Sequence, residues 1–219
     1  LVGEKSVTVK NLIGEQDHKR IAHAIRDAEA NTSGEIYAVL ARSSDDYFFA
    51  AGFVATCGIL ITSVILAFLA HWYWFDIRLP MFGLAILAAF ISVMLVLWFL
   101  PSIRILLVPR RIRYKRAHLN ALQQFLARNV HITEHRTGIL LFVSMAEHYA
   151  EVIADAGIHA RVEQEEWNEI VATLIHHASR KQVAEGFVLA IGQAGILLEM
   201  HFPAGDNDIN ELDDHLIEL

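Results

Sequence analysis

Two long uncharged runs constrain this chain more than any other feature. No Asp, Glu, Lys or Arg lies between Asp46 and Asp76, or between Arg78 and Arg104. Residues 47–75 and 79–103 each exceed the roughly 20 apolar residues a helix needs to cross about 30 Å of hydrocarbon. A surface helix of a globular core keeps a polar face, and these runs keep none. Two membrane spans are therefore expected. Trp72, Tyr73 and Trp74 close the first run, and Trp98 and Phe99 lie near the end of the second. Their rings suit an interface where apolar and polar surroundings meet.

The connector Asp76-Ile77-Arg78 is too short for a domain, so the spans form a hairpin whose outer ends return to one side. That side is marked by charge. Arg104, Arg110, Arg111, Arg113, Lys115 and Arg116 follow the second run, and no acidic residue occurs between Arg78 and Glu134. Lys and Arg beside a span resist translocation, which predicts that everything outside the hairpin is cytoplasmic. The first 46 residues carry charges throughout, without the apolar core of a secretory signal. The same six cations also attract anionic headgroups. Nucleic acid is not an expected partner, because the cations abut the bilayer, only Tyr114 among them offers a stacking ring, and the chain has net charge -7. The single cysteine, Cys57, falls inside the first run and excludes a disulfide framework or a zinc cysteine pair.

Outside the hairpin the pattern is α/β. Asp17 is placed to cap a helix bearing Ile21, Ile25 and Ala28, which stops at Asn31-Thr32-Ser33-Gly34. EIYAVLAR (35–42) is apolar on both faces, as a buried strand is. Leu119, Leu122, Phe125, Leu126 and Val130 mark a helix continuing from the basic cluster. GILLFVS (138–144) and HYAEVIA (148–154) read as strands joined by a short turn. Two amphipathic helices follow, the first carrying Trp167, Ile170, Val171, Leu174, Ile175 and Ala178, the second Val183, Phe187, Ile191, Ala194 and Leu198. The expected fold is a small α/β sandwich with a two-helix transmembrane hairpin inserted after its first strand. Its expected parts are residues 1–46, the hairpin 47–108, the remainder 109–204, and an acidic tail 205–219 that lies over the surface or is partly mobile.

The order of these elements, with RTGILLFVSMAEHYAEVIADAGI (136–158), the Trp167 helix and GFVLAIGQAGILLEMHFP (186–203), resembles the TPM domain family. The ending NELDDHLIEL is similar to that of a proteobacterial subgroup with an inserted hairpin. The resemblance implies a sandwich fold, and for members of the family acid phosphatase activity, weak calcium binding through loop carboxylates, or a role in assembling membrane complexes. Several acids of the family pattern are replaced here. Arg136 stands where an acid often precedes the strand glycine, Glu147-His148 stands for an acid and an Arg, and Gln164 for a later Asp. Of a glycine-rich turn only Gly157 is kept.

Asp155-Ala156-Gly157 follows a strand, where α/β proteins place ligands and where glycine permits a positive φ; a plain Asp/Gly turn is the other reading. Asp45, Asp46, Glu147 and Asp155 together are the candidate oxygen ligands for a weakly held calcium, with no other cofactor expected. Asp206-Asn207-Asp208-Ile209-Asn210 imitates an EF-hand start, but Glu211 takes the place of the required glycine. His131 and His135, and the adjacent His176-His177, do not form a metal motif. No nucleophile arrangement or phosphate-binding glycine loop is present. Within the spans, Ala51/Ala55, Gly52/Thr56 and Ala88/Ser92 have the small-residue spacing that permits close helix approach. The function expected is a non-catalytic interaction or assembly module, its partners the bilayer and either a membrane protein or a second copy. A modest metal-dependent phosphatase is the alternative.

Overall fold

A computed structural model describes residues 12–75, 78–133, 136–205 and 214–219, and divides the chain into two compact units. Residues 45–115 form a hairpin unit, and the rest forms an α/β unit.

In the α/β unit, helix α1 (Glu15–Glu29) leads into strand β1 (Glu35–Ala41). Gly14, rather than Asp17, is the N-cap, and Asp17 instead places its charge in the first turn, where the helix dipole favours an acid. Strands β2 (Gly138–Ser144) and β3 (Tyr149–Ala154) form an antiparallel pair, and β2 runs parallel to β1. A short helix α6 (Ala156–His159) and the long helices α7 (Gln164–Ser179) and α8 (Val183–His201) follow. A last strand, β4 (Leu216–Glu218), adds parallel to β1, giving the order β3-β2-β1-β4. The end of the chain thus belongs to the sheet, which corrects the expectation of a tail lying over the surface. Three residues in an acidic setting carry no strand pattern of their own; pairing with β1 creates this one. Residues 206–213, with the EF-hand imitation, lie outside the described residues.

All residues of β1 and β2 are buried, as their two-sided apolarity requires. Ile36, Ala38, Leu40, Ile139 and Leu141 face a core shared with α1, α7 and α8. Tyr37, Val39, Leu140 and Phe142 face helix α5 (Arg110–Ala127) across the other side. The sheet is therefore the middle layer of a three-layer sandwich. Small residues Ala117 and Ala121, with Phe125, turn inward, while Leu119, Leu122 and Leu126 remain exposed. Gly195 of α8 meets α1 so closely that a Cβ there would stand 2.7 Å from Ala28 Cβ. Glycine at this position sets how near the two helices come.

In the hairpin unit, α2 (Phe48–Trp72) and α3 (Leu79–Phe99) pack against each other, and α4 (Pro101–Leu107) follows. The second expected span thus breaks at Leu100, because Pro101 opens a new helix. Tyr47, Ala51, Leu97 and Val108 form a small core at the base. Most other side chains of α2 and α3 are exposed. Thr56 Oγ1 donates to the Gly52 carbonyl at 2.8 Å, so the hydroxyl is satisfied within its own helix.

Candidate functional site

The four carboxylates expected to bind a cation occupy different structural settings. At the C-terminal end of β2, Glu147 is 1% exposed. Its Oε1 accepts from Ser44 N–H at 2.9 Å and Ser43 Oγ at 3.3 Å, and its Oε2 accepts from Ser144 Oγ. Ser44 Oγ also donates to Ser144 Oγ at 2.9 Å. The Glu147 carboxylate thereby ties the exits of β1 and β2 together, and its oxygens are engaged by hydrogen bonds that a buried charge requires. A serine hydroxyl donating to a carboxylate has the outline of an activated nucleophile. Ser144 is itself 1% exposed, and the neighbouring cavity, bordered by Met145, His148 and Ile175, holds about 120 Å³. That is below the roughly 300 Å³ at which small-molecule sites begin.

Asp155 sits at the opposite end of the sheet. Its N–H donates to the Gly138 carbonyl at 2.9 Å, opposite the start of β2, and its side chain caps α6 by accepting from Ala156 N–H at 2.6 Å. The whole length of β2 separates it from Glu147, and at about 3.3 Å per residue the two carboxylates cannot share a calcium whose ligands must reach to within about 2.6 Å. Gly157 lies inside α6 and uses no positive φ; among the described residues no glycine does. The turn is a helix cap, and the glycine there is not needed for a left-handed bend.

Asp45 and Asp46 belong to the hairpin unit. Asp45 Oδ1 accepts from Asp46 N–H at 2.7 Å, and Asp46 pairs with the Arg104 guanidinium. Arg104 was expected to face lipid headgroups with the rest of the basic cluster. It is instead buried: Nε donates to the Leu97 carbonyl at 2.7 Å, Nη2 to the Trp98 carbonyl at 3.1 Å, and the guanidinium lies 5.2 Å from the Phe48 ring centroid. It satisfies carbonyls left unpaired where α3 ends, which a charge count along the sequence does not reveal. Arg110, Arg111, Lys115 and Arg116 are exposed along α5, with Arg113 half-buried.

A group the sequence reading passed over lies at the N-terminal end of β1. Glu29, at the end of α1, accepts from Ile36 N–H at 2.8 Å, beside Glu35 and Asp214. Burial, then the neighbouring Glu35 and Asp214 charges, push the Glu29 carboxyl up to about 8, against the opposing Ile36 hydrogen bond. Arg26, Glu29, Thr32 and Glu35 line an open polar pocket of about 330 Å³. Nothing local flags Glu29, because α1 and β4 bring these acids together only through the fold. Among the described residues no group of three or more His, Cys, Asp or Glu is arranged to hold a metal ion.

The family model of the TPM domain matches residues 101–195, from α4 into α8. Over that segment, less than half of its length, the chain is similar to the TPM domain. The matched segment lacks α1 and β1, which complete the sandwich by supplying the central strand and a core helix. A solved structure of similar fold is the NMR structure of BA42 protein from the psychrophilic bacterium Bizionia argentinensis. It is 18% identical, with a TM-score of 0.59, over 96% of this chain and 97% of that one. Among curated proteins none matches.

Proposed function

We propose that this chain is a membrane-anchored TPM module that acts by binding, without catalysis of its own, at the cytoplasmic face of a bacterial inner membrane. The observation that carries this reading is the use made of the carboxylates: Glu147 and Asp155 are engaged in strand and helix termini at opposite ends of the sheet. A hydrolytic metal site needs such groups converging on one open position. Anchoring is supported by α2 and α3, whose most apolar stretches have mean hydropathies of 2.5 and 2.6, against 1.5 for α8. The cytoplasmic side follows from the cations at the start of α5. Partners of this module are the bilayer together with a membrane protein or a second copy, and calcium enters only as a weak surface ligand.

Two measurements test it. Full-length protein in nanodiscs is assayed for phosphate release from p-nitrophenyl phosphate with and without calcium; no release above a protein-free nanodisc is expected. Calcium-dependent release abolished by Asp155→Asn but not by the exposed Glu165→Gln overturns the reading. Cross-linking in native membranes, followed by mass spectrometry, is expected to capture a recurrent membrane-protein partner or the chain itself.

A further inference from the structure

Helix α5 has two apolar faces, and the sheet covers only one. Ala121 and Phe125 pack on β1 and β2, and Ala117, one turn earlier, is buried as well. At 100° per residue, Leu119, Leu122 and Leu126 lie together on the other side, within about a sixth of a turn. They are 44%, 38% and 51% exposed. A solvated helix face has no reason to carry three leucines at this spacing, and the sequence offers polar alternatives freely elsewhere on the helix. Arg116 borders the stripe on one side and Arg111 on the other, Lys115 lies on the stripe one turn before Leu119, and Ile112 extends it by two turns towards the helix start. No acidic residue occurs anywhere on α5; Glu151, which approaches it from β3, is paired with His118 at 2.9 Å.

We infer that this face of α5 lies in the headgroup region of an anionic bilayer, leucines inserted and cations at the phosphates, so that the α/β unit rests on the membrane. A protein groove would accept the leucines, but the combination of an apolar stripe, flanking cations and absent acids is what an interfacial helix requires. The position in the chain agrees: α5 begins at Arg110, shortly after α3 ends at Phe99. The inference rests on the membrane-anchored reading and adds to it a second contact, made by the domain itself. Small residues beneath α5 then acquire a reason, since they let the helix sit close on the sheet while its larger side chains point away.

The test uses the full chain with Cys57→Ala, carrying one fluorophore-labelled cysteine at a time, in nanodiscs containing phosphatidylglycerol. The sites are Leu119→Cys, Leu122→Cys and Leu126→Cys on α5, Ala172→Cys on the exposed side of α7, and Ala88→Cys in α3. Quenching by brominated lipid chains is expected to be roughly threefold stronger at the α5 sites than at 172, and strongest at 88. Lys115→Glu with Arg116→Glu, or replacement of phosphatidylglycerol by phosphatidylcholine, is expected to lower quenching on α5 while leaving 88 unchanged. Quenching at 88 with none at the α5 sites overturns the inference and leaves the anchor standing. Absence of quenching at 88 as well removes both. Protection of the α5 sites from aqueous iodide without quenching by brominated lipid identifies a protein or second copy as the occupant, and overturns the inference too.

Discussion

Helices α3 and α8 are both long and apolar enough to cross a membrane, yet they carry that apolarity differently. More than half of the most apolar stretch of α8 is buried within the α/β unit, against 6% for α3. Ala184, Gly186, Ala190, Ala194 and Gly195 make α8 narrow, so that α1 and α7 approach it and Phe187, Ile191 and Leu198 fill the core. In α3 the large side chains Leu84, Leu87, Phe90, Ile91 and Leu95 are distributed around the exposed surface. Length and hydropathy do not separate a core helix from a span; the difference lies in whether small residues let neighbouring protein take the place of lipid.

Truncating an aromatic ring in each unit gives the largest expected contrast. Phe187→Ala empties a fully buried position and is expected to cost about 3–5 kcal/mol, read as faster hydrogen exchange across β1 and β2 in the reconstituted chain. Phe68→Ala in α2, where the ring is exposed, is expected to leave that exchange unchanged. Equal effects would break the distinction between the two kinds of helix.

A buried-charge test reverses the ranking. Leu87→Lys in α3 is expected to raise the cost of membrane insertion by about 2.5–3.5 kcal/mol, seen as a lower inserted fraction in a translocation assay. Ile196→Lys, on the exposed face of α8, is expected to be neutral within about 0.5 kcal/mol. Comparable insertion loss at both positions would mean that α8 also meets lipid. Next in size, Gly195→Val forces a side chain against Ala28 and is expected to cost about 1–3 kcal/mol in the same exchange measurement. Gly83→Val in α3, where a Cβ meets nothing within 4 Å, is expected to cost much less.

What could be read from the sequence divides along similar lines. β1, β2 and the hairpin were legible because each carries its burial in its own residues: EIYAVLA is apolar on both faces, and residues 79–99 lack any charge. β4 was not legible, since LIE becomes a strand only by pairing with Ala38, Val39 and Leu40. On α5 the leucine spacing indicated a helix but not its inner face, because periodicity cannot say which of two apolar stripes the sheet will take. The acids were the least legible. Asp155, Asp46 and Glu147 were identifiable as carboxylates near strand ends, but whether such a group caps a helix, pairs with a buried Arg104 or ties two strands depends on partners up to a hundred residues away.

The smallest expected effect concerns pH, and it separates the units by the kind of group each buries. Glu29 is held up to about 8 against an ordinary 4.5, first by burial and then by Glu35 and Asp214; Arg26, on the same pocket, is exposed. The folded chain therefore keeps a proton that the unfolded chain releases. Stability from this group is fully present below pH 4.5 and is lost progressively as pH rises from there through about 8. Glu29→Gln is uncharged at every pH and keeps an oxygen for the Ile36 N–H, so it is expected to remove this part of the slope. The gain relative to the parent at pH 8 is on the order of 1 kcal/mol, since Glu29 is only partly buried and solvent relaxes around it. The measurement is the melting temperature of the α/β unit in the full chain between pH 5 and 8. The parent is expected to lose stability across that range and the variant to lose less. Exchange rates at the base of α2 and α3 serve as the internal reference and are expected to show no difference between parent and variant. A slope that is the same in both proteins would mean that Glu29 is already ionised at neutral pH, its charge accommodated by the Ile36 N–H and the open pocket.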